Sequence, residues 1–307
     1  MLRTWLVGCV VFLVSACSEQ GPIEGAARSV YFWRTDFSLS QAERNFLTAH
    51  RIGKIYCRFF DVVTDERGRL EPNATITFSQ PVPKGIKVVP TVYVTTDCLG
   101  HGPERYAERL VRRVMQMCET NEVPHDRELQ VDCDYTQRSL PAYYAFLREV
   151  SKALKAKGWR LSVTIRLHQL SMEAPPADYG VLMMYNTGDF RQLTSHNPIL
   201  DKRDVKPYLR YLSRYPIPLC AAYPVYHWRL LFHGGQFQEV IRGTDPPLRF
   251  VSDSIVDWRC TPEEIMDVKR MISNERPDIN QQVILYPLNE SEIKQYEYET
   301  IEKFYHP

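Results

Sequence analysis

Along this chain the apolar residues switch repeatedly between a spacing of two and a spacing near 3.6, the repeats of strand and helix. Ser29-Val30-Tyr31-Phe32-Trp33 predicts a first strand. Ser40 and Glu43 have the spacing of a capping box and open a helix that Gly53 ends. Lys54 to Phe60 is a second strand, and the crossover after it, over 63–85, holds Gly and Pro without a helical period. Ile86 to Val94 is a third strand. Tyr106, Leu110, Val114 and Met117 then recur at helical spacing between Pro103 and Cys118. Leu129 to Asp134 is the fourth strand. Leu140, Tyr143, Leu147, Val150 and Leu154 mark a helix that Gly158 stops. Leu161 to Leu167 and Val181 to Tyr185 are the fifth and sixth strands. A helix near Asp204 to Leu212 leads to the seventh, Pro218 to Tyr223. Gln282 to Tyr286 is the eighth, followed by a last helix from about Glu290 to Tyr305.

Eight strands joined mostly by helices predict an α/β fold, a (β/α)8 TIM-type barrel. Residues 224–260, between strands seven and eight, are too long for a simple crossover. With His227-Trp228-Arg229, a Gly234-Gly235 turn and Phe237, they read as an excursion above the barrel mouth that contains a hairpin. Thr261-Pro262-Glu263-Glu264 then starts a helix with proline at its first position. An open doubly wound sheet is the rival, but no Gly-rich phosphate loop follows the first strand.

The N-terminus has a different pattern. Arg3 precedes an apolar run, Leu6 to Val14, too short to span a bilayer as a mature helix. Leu13-Val14-Ser15-Ala16-Cys17 resembles the bacterial lipobox, which implies cleavage before Cys17 and acylation of its thiol. The domain reading is a lipoprotein signal peptide over 1–16, a tether over 17–28 and a single barrel domain over 29–307. The expected location is the bacterial cell envelope, with the lipid bilayer engaged through the N-terminal acyl anchor. The 307 residues carry 38 Lys plus Arg against 37 Asp plus Glu. That balance supplies no global field for nucleic acid, which is not expected as a partner. Cys57, Cys98, Cys118, Cys133, Cys220 and Cys260 lack metal-ligand spacing and are expected to be mostly free, buried thiols. No cofactor or metal motif is present, so none is expected.

Candidate chemistry comes from strands whose inner face is polar. In the fourth strand Gln130, Asp132 and Asp134 share one face, and Leu129, Val131 and Cys133 the other. In the fifth, Ser162, Thr164, Arg166 and His168 face inward. The second adds Tyr56 and Arg58. Barrel interiors are ordinarily filled by Val, Ile and Leu, so a lumen this polar marks either a site or a buried ion-pair network. Asp132 fits both descriptions, pairing with Arg58 or Arg166 in the second. Asp134 lies nearer the mouth, where barrel active sites sit. Tyr31, Trp33, Tyr223 and Tyr286, near strand ends, are core residues singly and stacking platforms for a sugar ring if gathered at one mouth.

Val131-Asp132-Cys133-Asp134 resembles part of the DxxDxDxE motif of family 18 chitinase-like glycoside hydrolases, and Met183-Met184-Tyr185-Asn186 resembles that family's MxYD motif. The whole chain also resembles bacterial lipoproteins of unassigned activity with a glycoside-hydrolase-like barrel. In those, the strand Gln130 to Asp134, the following Tyr-rich helix and Leu161-Ser162-Val163-Thr164 recur as a block. The chitinase resemblance implies roles for Asp132, Asp134 and Tyr185 in catalysis, with Asp134 positioning substrate and Tyr185 donating a hydrogen bond. Arg58, Arg166, His168, Asn186, Trp33, Tyr223 and Tyr286 are the expected substrate contacts. The sequence departs from the motif at its general acid, replaced by Thr136, at its first Asp, replaced by Leu129, and at the second motif's Asp, replaced by Asn186. A replacement acid would have to come from Asp61, Asp189 or Glu290 on the mouth loops. Two readings stand: an envelope-anchored glycoside hydrolase-like protein acting on a glycan or polysaccharide, or a catalytically inactive barrel that binds glycan or scaffolds a complex.

Overall fold

The computed structural model describes residues 28–306, apart from 101, 194–195, 242, 244–247 and 249. Cys17, the signal segment and nearly all of the tether lie outside the described residues.

The strands are β1 (Arg28–Phe32), β2 (Lys54–Thr64), β3 (Leu70–Asn73), β4 (Lys87–Val94), β5 (Glu128–Asp132) and β6 (Arg160–Ile165), then β7 (Tyr179–Met183), β8 (Leu219–Pro224), β9 (His227–His233), β10 (Gln236–Val240), β11 (Asp253–Arg259) and β12 (Val283–Tyr286). Nine of them form one sheet, in the order β1-β12-β8-β7-β6-β5-β4-β2-β3, and a β1–β2 pairing closes it. Only β3 is antiparallel, hanging from the far end of β2. The other eight make a closed parallel barrel, the architecture the alternating pattern predicts.

The helices are α1 (Gln41–Ala49), α2 (Pro103–Thr120), α3 (Leu140–Lys155), α4 (Lys202–Val205), α5 (Leu209–Leu212), α6 (Pro262–Glu275), α7 (Glu290–Ile293) and α8 (Tyr298–Tyr305). The capping boxes at Ser40/Glu43 and Thr261/Glu264 both form. Outward positions of the strands pack under this layer: Leu129, Val131, Leu161 and Val163 have no exposed surface. Among the described residues no helix is long and apolar enough to cross a membrane. All six cysteines in the barrel are free and buried.

Three details differ from the sequence pattern. The irregular crossover is a hairpin, because β2 runs on to Thr64 and pairs with β3. The excursion is a separate three-stranded antiparallel sheet, β10-β9-β11, in which Trp228 faces Trp258 across the strands. The predicted last helix is two. The chain turns between α7 and α8, and α8 docks by its C-terminal end: Lys269 donates to the Phe304 carbonyl at 2.9 Å, and the Tyr305 hydroxyl to that of Ser29 at 2.9 Å.

The lumen is polar from floor to mouth. At the floor, Lys54 (1% exposed) lies 2.7 Å from Asp126 and 3.6 Å from Glu128, which is fully buried. Glu128 accepts hydrogen bonds from Ser162 at 2.7 Å and Tyr179 at 2.5 Å. Tyr179 and Tyr56 share a hydrogen bond at 2.7 Å, Gln282 donates to Tyr56 at 2.8 Å, and Tyr31 donates to Gln130 at 2.8 Å. Buried polar groups are tolerable when satisfied in this way, and here the satisfaction is partial: Lys54 Nζ, Glu128 Oε2, Gln130 Nε2 and Gln282 Oε1 are buried without a hydrogen bond. These layers form a structural plug, and the site lies above them.

Candidate functional site

The C-terminal ends of the strands surround a cavity of about 260 Å³ lined by Trp33, Arg58, Asp61, Tyr93, Asp132, Arg166, Met183, Tyr185, Asn186 and Tyr286. Seven of the expected residues meet here: Trp33, Arg58, Asp132, Arg166, Tyr185, Asn186 and Tyr286. Asp134 stands at the rim, joined to the wall by Arg166 Nε at 2.7 Å and by the Tyr93 hydroxyl at 3.3 Å. Two expected residues lie elsewhere. His168 is exposed, because β6 ends at Ile165 and residues 167–171 turn into a 3-10 helix that breaks the strand alternation. Tyr223 points outward from β8, donating to Asn280, which in turn bonds Ser273 of α6. Of the mouth acids, Asp189 is exposed and accepts from Arg191 and Gln192 in its own turn, while Glu290 pairs with Lys294. Thr136 is also exposed, and its backbone bonds Ser139.

Asp61 is brought in by a β-bulge. Strict alternation from Lys54, Tyr56 and Arg58 would turn Phe60 inward and Asp61 out. The register between β2 and β4 instead shifts between Arg58 and Phe60. The extra residue re-aims Asp61 into the cavity and leaves Phe60 and Val62 on the outer wall beside α2. Arg58 then grips Asp61 with two donors, its Nε at 2.7 Å from Oδ1 and its Nη2 on Oδ2. The same guanidinium lies 5.8 Å from the Trp33 ring centre. Tyr93 could have been found by carrying the alternation of the third strand one step past Thr91.

Asp132 is the most buried carboxyl of the group, with a side chain 4% exposed. Its Oδ1 accepts from Thr164 at 2.5 Å and lies 3.5 Å from Arg166 Nη2. Burial raises its pKa above the ordinary carboxylate value; Arg166 opposes that shift, and the charge of Asp134 adds to it. Arg166 is thus shared between two carboxylates of very different exposure; burial works against its charge, and the two carboxylates outweigh it and push its pKa up. Met183 packs its sulfur against the same guanidinium.

The opposite wall is aromatic. Tyr185 stacks on Tyr286 with centroids 4.8 Å apart and planes 13° from parallel, and Tyr286 meets Trp33 edge-on at 6.2 Å. Burial raises the pKa of the Tyr185 phenol well above its usual value, so it remains a hydrogen-bond donor throughout the physiological range. Asn186 holds a left-handed backbone (φ 54°), with its side-chain oxygen bound by the Tyr226 hydroxyl. The cavity therefore offers one apolar aromatic wall and one wall of paired Asp and Arg, in a space about the size of one sugar residue.

No protein-family model matches the chain. No curated protein matches it in sequence. Its fold is shared with solved structures. Chitinase from Chromobacterium violaceum superposes with a TM-score of 0.58 at 13% identity, over 88% of this chain and 98% of that one. The spore cortex-lytic enzyme SleL of Bacillus cereus gives 0.56 at 14%, over 85% and 70%. A variant of catalytic domain 2 of the Ostrinia furnacalis group II chitinase, in complex with penta-N-acetylchitooctaose, gives 0.50 at 9%, over 85% and 89%. At these identities the likeness establishes the barrel fold.

Proposed function

We propose that this protein acts on a glycan at the barrel mouth, as an envelope-anchored glycoside hydrolase-like protein. The observation that carries the reading is the meeting of Trp33, Tyr185 and Tyr286 with Asp132, Asp61 and Arg166 around one cavity. Aromatic faces suit the apolar face of a sugar ring, and paired carboxylates and guanidinia suit its hydroxyls. The barrel neighbours act on chitin or lyse spore cortex, as their names state, which selects N-acetylated β-linked glycans as the first probes. Thr136, at the position of the acid in the resembled motif, favours a second reading in which the mouth binds glycan without cleaving it.

The two readings part in one experiment. The protein is titrated with chitohexaose and with purified peptidoglycan strands by calorimetry, and the mixtures are then assayed for new reducing ends. Saturable binding with release of reducing ends supports the hydrolase. Binding without release supports the second reading. Absence of binding to these and to a broad glycan array overturns both.

Anchoring is proposed from the lipobox-like run at Cys17. Because β1 is parallel to its neighbours, Arg28 enters the barrel at the floor, at the end opposite the cavity. A lipid on Cys17 would therefore attach the floor end and leave the mouth free. Cys17→Ser is expected to abolish labelling by a fatty-acid probe and to move the protein from the membrane fraction to the soluble one. Unchanged labelling and fractionation would overturn the anchor.

A further inference from the structure

The glycan reading uses only the mouth of the barrel, and the opposite end has a charge of its own. The turns that lead into β2, β4, β5, β6, β7, β8 and β12 form the floor, together with the first residue of each strand. The exposed charged side chains there are Arg51, Lys84, Lys87, Arg127, Lys157 and Arg214, against Glu122, Asp178 and Asp278. Two of these acids are already engaged: Asp178 accepts from the Leu161 backbone at 2.7 Å, and Asp278 lies 3.3 Å from the Arg276 guanidinium. Of the six cations only Arg51 has a carboxylate within ion-pair distance among the described residues. That carboxylate is Glu302, at 3.7 Å, which Arg28 and His50 already share. The whole chain carries 38 Lys plus Arg against 37 Asp plus Glu, so the excess at the floor is a polarity of the molecule and not a general basic character.

Helix ends account for part of this pattern. A helix C-terminus favours cations, and Arg51, Lys157 and Arg214 closely follow α1, α3 and α5. Lys84 and Lys87 have no such cause, since they come after the β2–β3 hairpin, and Arg127 stands seven residues beyond the end of α2. Lys87 and Arg127 also act on one place. His125, stacked on Trp159 at 4.5 Å, is held below the ordinary imidazole pKa by burial and then by the charges of Arg127 and Lys87.

We propose that the floor is a docking surface for the anionic headgroups of a lipid bilayer. Its direction of approach rests on the anchoring reading. Ten residues lie between Cys17 and Arg28, and even a fully extended chain of that length spans about 40 Å at most. An acyl group on Cys17 therefore keeps the floor, the end where Arg28 enters, near the bilayer. Each basic side chain adds attraction that fades within a Debye length, about 8 Å at physiological salt. The surface works only when the floor lies flat on the headgroups, and lying flat turns the cavity away from the membrane. The anchor sets the distance, and the floor sets the orientation.

The test uses the full chain carrying Cys17→Ser, so that no acyl group contributes. It is sedimented with vesicles of phosphatidylcholine alone, or of equimolar phosphatidylcholine and phosphatidylglycerol. Apolar affinity of the N-terminal segment counts on both kinds of vesicle, and the ratio of bound protein reads the charge. Binding is expected to favour the anionic vesicles and to lose that preference at about 1 M salt, where the Debye length is about 3 Å. Lys84→Gln, Lys87→Gln and Arg127→Gln together should weaken partitioning onto anionic vesicles about 100-fold, about 5-fold for each charge. Arg109→Gln, Arg112→Gln and Arg113→Gln, on the exposed flank of α2, change the net charge equally and should leave partitioning unchanged. Equal binding of the Cys17→Ser chain to both vesicles, or equal losses in the two triple variants, overturns the proposal. The first outcome needs no floor variant, so a folding defect cannot mask it. Either result stands whether or not Cys17 is acylated: absent fatty-acid labelling with the anionic preference intact overturns the anchor alone.

Discussion

Replacing Arg166 by methionine should destabilise the protein by about 3 kcal/mol at neutral pH, the lower end of what breaking a buried ion pair costs. Arg166 is 19% exposed, so part of its interaction is screened. Its loss leaves Asp132 buried with only the Thr164 hydrogen bond, and with the charges of Asp134 and Asp61 still acting against it. The pH dependence follows from the direction of the Asp132 shift. A carboxyl whose pKa is raised by folding holds a proton in the native state that the unfolded chain has released. Stability therefore falls as pH rises from the ordinary carboxylate value through the raised one. Removing Arg166 takes away the attraction that limits this rise and carries the window to higher pH. The penalty of Arg166→Met should thus be larger at pH 8 than at pH 5 in urea unfolding. Adding Asp132→Asn should abolish the difference. A penalty equal at both pH values would show that Asp132 does not depend on Arg166.

Lys54→Met should be the most damaging change at the other end of the barrel, about 3–5 kcal/mol, because it strips a buried carboxylate of its nearest buried cation. Glu128 would keep Arg160 at 3.7 Å and its bonds from Ser162 and Tyr179, but a cation one-third exposed replaces a buried one poorly. Adding Glu128→Met should recover part of the loss, since a well-packed apolar pair can match a buried ion pair. Glycan affinity should hold in any folded variant, because these residues lie below the Tyr31, Tyr56 and Tyr179 layer. Loss of binding in a folded Lys54→Met protein would mean that floor and mouth are coupled.

The barrel was legible in the sequence because its signals are local. Each strand carries its own alternation, and two helices carry capping boxes that form as written. The cavity was legible wherever a strand stays regular up to its end, as with Asp132 on β5, Tyr185 just past β7 and Tyr286 on β12. Prediction failed where the chain leaves that regularity. His168 sits in a 3-10 turn after the strand has ended, so counting by two carried it to the wrong side. Tyr223 was read as a mouth aromatic although its own alternation with Cys220 and Ala222 turns it outward. Polar inner faces were read as one signal, yet they serve two ends of the barrel. Glu128 with Lys54 secures the floor, while Asp132 with Arg166 opens on solvent. Which layer a residue occupies depends on stagger between strands, and stagger is written in no single segment.

The bulge in β2 gives the mouth a frame. Every residue after Arg58 on that strand is assigned to cavity or wall by one inserted position. Straightening the strand with its sequence intact would exchange the acid Asp61 for the phenyl ring of Phe60, whereas deleting the extra residue, Phe59, would leave Asp61 facing the cavity. Related chains compared at this strand should therefore be aligned by the side their residues face. A relative one residue shorter beside Arg58 keeps a carboxyl at the mouth on a regular strand, whereas one of equal length that lacks the bulge has a hydrophobic wall there.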